Sequence, residues 1–290
     1  MKLYATMEYG LPAISISILA GLFVVERLLP LRQPTRSLWR RMFVNLVVSG
    51  LALLVAALIV QPAAAWMMGS DGSPIGLLQW VKIPAWLNIV AGFLLLDLSF
   101  YYWHRLNHRI GFLWRFHNVH HIDPDMDVST AFRFHFGEVA FSALFRVVQV
   151  TLIGMSVEAY LIYEFAFTAN TMFHHSNVRL PIEWERWLNL CLVTPRMHGI
   201  HHSQLERETN SNYSVVLPWW DRLHRSLRLN VSQDGIKIGV PGYSQPEDNR
   251  LGNLFLMPFR RQREYWDTPD GQGAERKETG ETQRPNRLAE

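Results

Sequence analysis

Only one cysteine, Cys191, occurs in 290 residues. A single thiol forms neither an internal disulfide nor a thiolate metal cluster, and a free cysteine of this kind is expected to be a small core residue. Charge is also scarce, at 18% of the chain against about 25% in an ordinary soluble protein. The formal net charge is only +3, and the arginines cluster beside apolar runs instead of forming a basic face, which argues against a nucleic-acid partner. No Rossmann glycine pattern and no haem attachment motif appears, so no flavin or cytochrome segment is expected among these residues. The zinc protease signature H-E-x-x-H is missing too, since neither His104 nor His117 is followed by Glu. The first apolar run lacks the basic start and small-residue cleavage site of a secretory signal.

Long apolar runs are present instead. Leu11–Val25 reads as a retained spanning helix, and Val44–Trp66 carries no charge over more than the roughly 20 residues that cross a bilayer. A third run, Pro84–Trp103, contains one acid, Asp97, and ends in aromatics suited to a membrane interface. Glu138–Phe173 is apolar but broken by Arg146, Glu158 and Glu164. As one straight helix it would reach about 54 Å, far beyond a hydrocarbon core of roughly 30 Å. It is therefore expected to enter and return, bending at Gly154–Ser156, with both ends on one side. Arg27, Arg32, Arg36, Arg40 and Arg41 crowd the first loop, whereas the next holds only Lys82 and Asp71. That asymmetry makes the first loop cytoplasmic and puts His104 and all that follows on the same side, on an inner or plasma membrane if the source is bacterial. The fold expected is all-α: an integral membrane bundle of about three spans and a hairpin, with a cytoplasmic histidine-rich helical cap anchored by Pro218–Trp220. Three regions follow: transmembrane helices in 1–83, a catalytic domain in 84–262, and a disordered polar tail in 263–290.

Twelve histidines are the main feature. His104 and His108 stand at i and i+4. His117, His120 and His121 form H-x-x-H-H, and His198, His201 and His202 repeat that spacing about eighty residues later, with His135, His174 and His175 between. On a helix, residues three and four apart share a face, so each group aims two or three imidazoles at one point. Clustered neutral imidazoles without a cation would strand many ring nitrogens in a poorly hydrated place. A metal centre is expected, and since one tetrahedral zinc uses four ligands, this many histidines implies two ions. A histidine-lined metal transporter and a zinc-dependent membrane hydrolase are the alternatives. The first should line a path through mid-span with its ligands, and the second should set a general base beside the zinc.

The set DLSFYYWHRLNH, HNVHH, HHSNVRLP, TPRMHGIHHS and NSNYSVVLPWWDRL, in that order from about Asp97 to Leu223, resembles the fatty acid hydroxylase and sterol desaturase superfamily of membrane di-iron oxygenases. That resemblance implies two non-haem irons that activate O2 to hydroxylate or desaturate a lipid, a sterol or fatty acyl chain among them. It also implies a separate electron donor, a ferredoxin or a b-type cytochrome with its reductase. By the same resemblance His104, His108, His117, His120, His121, His198, His201 and His202 are metal ligands, with His174 or His175 as a further one. Asn170 stands where some relatives have histidine and would bind metal only weakly or through water. His135 is a metal or outer-shell candidate, and His224 takes a structural role. A histidine-held iron pair is strongly cationic and needs carboxylates around it. Asp97 and Tyr101 share the helical face of His104 and His108 and are placed to orient them. The other reading of Asp97 is a packing group paired with an arginine of another span. Glu138 and Asp123 are weaker candidates for the orienting role.

Overall fold

A computed structural model describes residues 2–60 and 76–268. The end of the expected second span, Asp71 and most of the polar tail lie outside the described residues. Among those described there is no strand, only the isolated bridges Pro30–Val178 and Ser203–Ile238. The chain is helical, and four helices are long and apolar enough to cross a membrane. They are α1 (Lys2–Leu28), α2 (Leu38–Val55, prolonged by a π-helical turn at Ala56–Val60), α3 (Ala85–Arg109) and α5 (Phe136–Ile153). Between the last two lies α4 (Gly111–His121), after which come α6 (Val157–His175), α7 (Ile182–Leu188) and α8 (Pro195–His201).

Local chemistry sets the breaks. The long apolar segment does fold back: α5 ends at Gly154 in the left-handed region (φ 64°), and Ser156 caps α6 by accepting from Ala159 N. Gly154 also packs backbone to backbone on Gly76, where a Cβ on either residue would overlap the other. α3 stops at Ile110, whose extended backbone (φ −97°, ψ 109°) redirects the chain into α4.

Polarity is distributed as in a membrane protein. Leu144, Val148 and Leu152, at i, i+4 and i+8 on α5, are exposed, as are Leu46, Leu53 and Leu58 on α2. The buried residues instead include many His, Asp, Asn and Arg. α3 packs along α6, with Leu96, Ala159 and Tyr163 in the core between them and Val215 and Val216 closing it.

Three expectations need correction. Cys191 is exposed, because it follows α7, a surface helix whose Trp184, Trp187 and neighbouring Leu190 all point outward. A small apolar residue on a surface of that kind is not a core residue. Of the Pro218–Trp220 anchor, Trp220 instead turns inward and donates its indole N–H to Asp97 Oδ2 (2.8 Å). The tail does not begin at 263: Arg263 N donates to the Tyr243 hydroxyl, Gly242 N donates to Tyr265 O, and Tyr265 and Trp266 pack on the body.

The arginine-rich loop has a second role besides charge. Arg41 sits inside α2, buried, donating to Asp123 (2.9 Å) and Asp127 (2.8 Å). Burial raises the Asp123 carboxyl, but Arg41 and Arg133 outweigh it and hold the group at about 2. Arg32 donates to Pro195 O and Gln233 Oε1, and its guanidinium occupies the space beside Gly199 in α8. Leu31 N and Arg179 N complete a backbone pairing between 29–31 and 177–179. The first loop is thereby tied to the ends of both α6 and α8.

Candidate metal centre

Nine of the twelve histidines fall into two adjoining buried groups. His104, His108, His117, His121 and His201 form one, and His120, His175, His198 and His202 the other. Within each group one ring nitrogen per residue lies within 4.8 Å of all the others. Ligands facing each other across an ion at metal–nitrogen distances of about 2.1 Å are roughly 4.2 Å apart, so shifts of a few tenths of an ångström close either group around a cation.

The helical spacing explains the division. On α4, His117 and His121 (i, i+4) serve the five-histidine group, while His120 turns to the other. At α8 the pattern is inverted: His198 and His202 (i, i+4) serve the four-histidine group and His201 crosses to the five. The C-terminal part of α3 adds His104 and His108 to the first, and the end of α6 adds His175 to the second. His121 and His202 stack at 4.3 Å where the two groups meet.

Outer hydrogen bonds set which nitrogen faces inward. A carbonyl oxygen only accepts, so Nδ1 carries the proton where His104 donates to Tyr213 O (2.7 Å), His201 to Ser211 O (2.7 Å) and His175 to Thr171 O (2.8 Å). Nε2 of each is then a lone pair free for a cation. His120 Nδ1 faces Arg133 O at 3.3 Å, and Phe134 stacks on its ring at 4.5 Å. His117 Nδ1 donates to Glu138 Oε1 at 2.7 Å, the carboxylate–histidine contact that raises ligand basicity. Asn212, in the left-handed region at φ 54°, holds the 211–213 turn by donating to Met197 O and Arg228 O, and so presents the carbonyls of Ser211 and Tyr213 to two different histidines.

Facing nitrogens test whether a cation fits. His175 Nε2 lies 3.0 Å from both His120 Nε2 and His198 Nε2, and His202 Nε2 lies 3.2 Å from His198 Nε2. His121 Nε2 lies 3.2 Å from His117 Nε2. One proton satisfies one such pair, whereas a cation satisfies all of them. His108 Nε2 and His201 Nε2 are buried without any partner. Burial, and then the neighbouring histidines, push His120, His121, His198 and His202 well below the ordinary imidazole value, and burial takes His201 down to about 3. The rings are therefore neutral, the form that ligates metal.

The remaining candidates lie apart from these donors. His174 belongs to neither group: its ring packs on His198 at 4.1 Å, and its Nδ1 is 3.3 Å from Asn170 Nδ2. Asn170 donates to Val215 O at 2.5 Å and holds α6 to that loop. His135 caps α5, its Nδ1 accepting from Gly137 N. Asp97 bonds to no histidine; its Oδ2 accepts from Leu217 N (3.0 Å) and Trp220 Nε1. Tyr101 likewise turns away, its hydroxyl 2.9 Å from Ser226 Oγ. Asp123 is committed to Arg41, Asn45 and Thr130. His224 lies between Tyr102 and Trp220 O and stacks on Tyr101 at 4.7 Å, which suits a structural role. Sequence reasoning ranked Asp97 above Glu138, and the geometry reverses that order. It also missed the carbonyls of Thr171, Ser211 and Tyr213, which no residue type could have signalled.

Residues 89–226 match the fatty acid hydroxylase family and contain every member of both groups. Over that stretch the chain is similar to the fatty acid hydroxylase family. It is 30% identical over 164 residues to the ornithine lipid hydroxylase OlsE of Rhizobium tropici, covering 57% of this chain and 48% of that protein. It is 29% identical over 136 residues to the alkylglycerol monooxygenase of Xenopus tropicalis, covering 45% and 28%. With the cholesterol 25-hydroxylase of Homo sapiens it shares 26% over 170 residues, covering 53% and 61%. The chain thus spans less than two thirds of the length of each of these relatives. No solved structure matches it.

Proposed function

We propose that this chain is a membrane di-iron oxygenase that uses O2 to hydroxylate an unreactive C–H bond of a lipid. The observation that carries the reading is the pair of adjoining groups, five and four imidazoles, that share α4 and α8. One zinc takes four ligands, so nine inward nitrogens exceed what a single structural ion uses and match two ions side by side. The site residues of this reading are the nine grouped histidines, with Glu138 orienting His117 and with His174, Asn170, Asp97 and His135 holding the surrounding helices. When bound, the two irons would supply O2 activation; the protein keeps the imidazoles neutral, fixes their tautomers and excludes bulk water. The relatives' names, hydroxylase and monooxygenase, favour hydroxylation over desaturation. Those names cover lipids of several kinds, and a lipid arriving from the membrane fits ligands placed at the ends of α3 and α6. The arginines of the first loop favour a site on the cytoplasmic side, served by a separate electron donor.

Metal analysis of the purified full chain tests this reading. About two irons per chain are expected, with membranes of expressing cells gaining a lipid heavier by one oxygen atom that is absent when the protein is absent. Stoichiometric zinc after growth in iron-rich medium would instead favour the hydrolase. Iron without any oxygenated lipid would leave a metal protein of another activity.

A further inference from the structure

Trp114 is buried on α4 and touches three members of the five-histidine group: His108 at 4.8 Å, His121 at 5.1 Å and His117 at 6.0 Å between ring centroids. It also meets Tyr265 and Trp266, each at 5.9 Å. Those two rings are half-buried and reach the surface. They are held there: Gly242 N donates to Tyr265 O, with no room for a Cβ on Gly242 beside the Glu264 carbonyl, and Tyr265 stacks on Tyr243 at 5.7 Å. Aliphatic side chains would exclude water from Trp114 equally well. An unbroken file of π systems from the surface to the histidines has a different physical property, since it lowers the barrier to electron tunnelling compared with saturated side chains.

Charge at the outer end of this file is net positive. The two segments that build it, α4 and 243–268, hold five arginines, Arg115, Arg250, Arg260, Arg261 and Arg263, against four acids. Arg115, Arg260 and Arg261 are exposed, and Arg115 is close enough to Tyr265 to act on its hydroxyl. Electron-transfer complexes are small and short-lived, and are steered more by charge than by buried area.

We propose that this face is the docking site of an acidic one-electron carrier protein, and that Tyr265, Trp266 and Trp114 are the route by which its electrons reach the five-histidine group. The proposal rests on the oxygenase reading above. Each turnover takes two electrons, one from each of two reduced carriers, and two protons from water. One oxygen atom of O2 enters the C–H bond to give an alcohol, the other leaves as water, and the aromatic residues are not consumed.

The test uses the full iron-loaded chain in detergent, with a reduced, strongly acidic [2Fe–2S] ferredoxin as the probe and stopped-flow loss of the ferric absorbance as the readout. The surface pair Tyr265→Leu with Trp266→Leu, which touches no histidine, should keep its iron and be reduced about tenfold more slowly by ferredoxin. Reduction by dithionite with methyl viologen, which needs no docking, should match the parent. Trp114→Leu should behave in the same way; if it loses iron, the surface pair decides. Arg260→Glu with Arg261→Glu should weaken ferredoxin binding about tenfold at low salt and match the parent at high salt. Equal ferredoxin rates in the parent and the fully loaded surface pair would overturn the route, and unchanged affinity after charge reversal would overturn the docking site. A parent chain that holds zinc and no iron fails before ferredoxin is added; that result sinks the oxygenase reading itself, and the route with it.

Discussion

Glu138 Oε1 lies 2.7 Å from His117 Nδ1, whereas Asp97, about two and three turns from the α3 histidines by spacing, spends its Oδ2 on Leu217 N and Trp220 Nε1. The same functional group therefore predicts two different phenotypes. Glu138→Ala should lower iron affinity at the five-histidine group by about 10–100-fold, seen as less iron per chain, while the metal-free melting temperature falls only by the loss of one buried hydrogen bond. Asp97→Ala should do the reverse. It strands buried donors at about 1–3 kcal/mol each, so melting in detergent should fall while iron per folded chain stays level. An Asp97→Ala protein that melts normally but loses iron would return Asp97 to the neighbourhood of the ligands. Spacing along α3 puts Asp97 on the correct face, but reach and direction depend on what the 217–220 turn offers it, and no periodicity carries that information.

Helices decide how the histidines are divided. The i, i+4 pairs were legible as faces of α3, α4 and α8, and the return at Gly154 was legible from length alone. What spacing leaves open is that His120 and His201 each desert their own helix's pair for the neighbouring group, because this depends on how α4 and α8 cross. The clamps on these helices lie far from them in sequence. Arg41 of α2 is bound by Asp123 and Asp127 in the segment that follows α4. Arg41→Met would leave those two carboxylates buried without their main partner, at a cost of about 3–5 kcal/mol. The expected result is a lower melting temperature together with poor iron retention, since α4 carries three of the grouped histidines. Circular dichroism melts with iron analysis on the same sample would check it; a variant that melts like the parent would show that the clamp is dispensable. In the sequence Arg41 counts as one of five loop arginines that set orientation, and its partners are visible only in the fold.

At the scale of the molecule, the proposed metal binding predicts coupling between cation and fold. The metal-free protein buries facing imidazole lone pairs, so iron(II) supplied without oxygen should raise the melting temperature, by about 4 kcal/mol of stability per site at a thousandfold excess over Kd. Absence of any shift would show that the two groups do not bind cations. Acid should act in the opposite direction. Unfolded imidazoles take up protons near pH ~6.5, whereas in the fold His201 does so only near 3, so the unfolded state binds more protons between these values. Stability of the metal-free chain is therefore fully present above the unfolded value and is lost as the pH falls toward the folded one, which a pair of melts at neutral and mildly acidic pH would register.

The sequence by itself determined the helical class, the membrane-seeking runs, the hairpin and the clustering of histidines that could hold metal. Each is written in short-range periodicity and composition, which survive without knowledge of the packing. Tertiary structure alone decided that nine histidines separate into five and four, that His175 and not His174 joins them, that Glu138 supports His117, and that carbonyls of Thr171, Ser211 and Tyr213 set the tautomers. Those outcomes depend on contacts between residues up to about a hundred positions apart and on backbone groups that every residue carries, so no pattern of side-chain types encodes them.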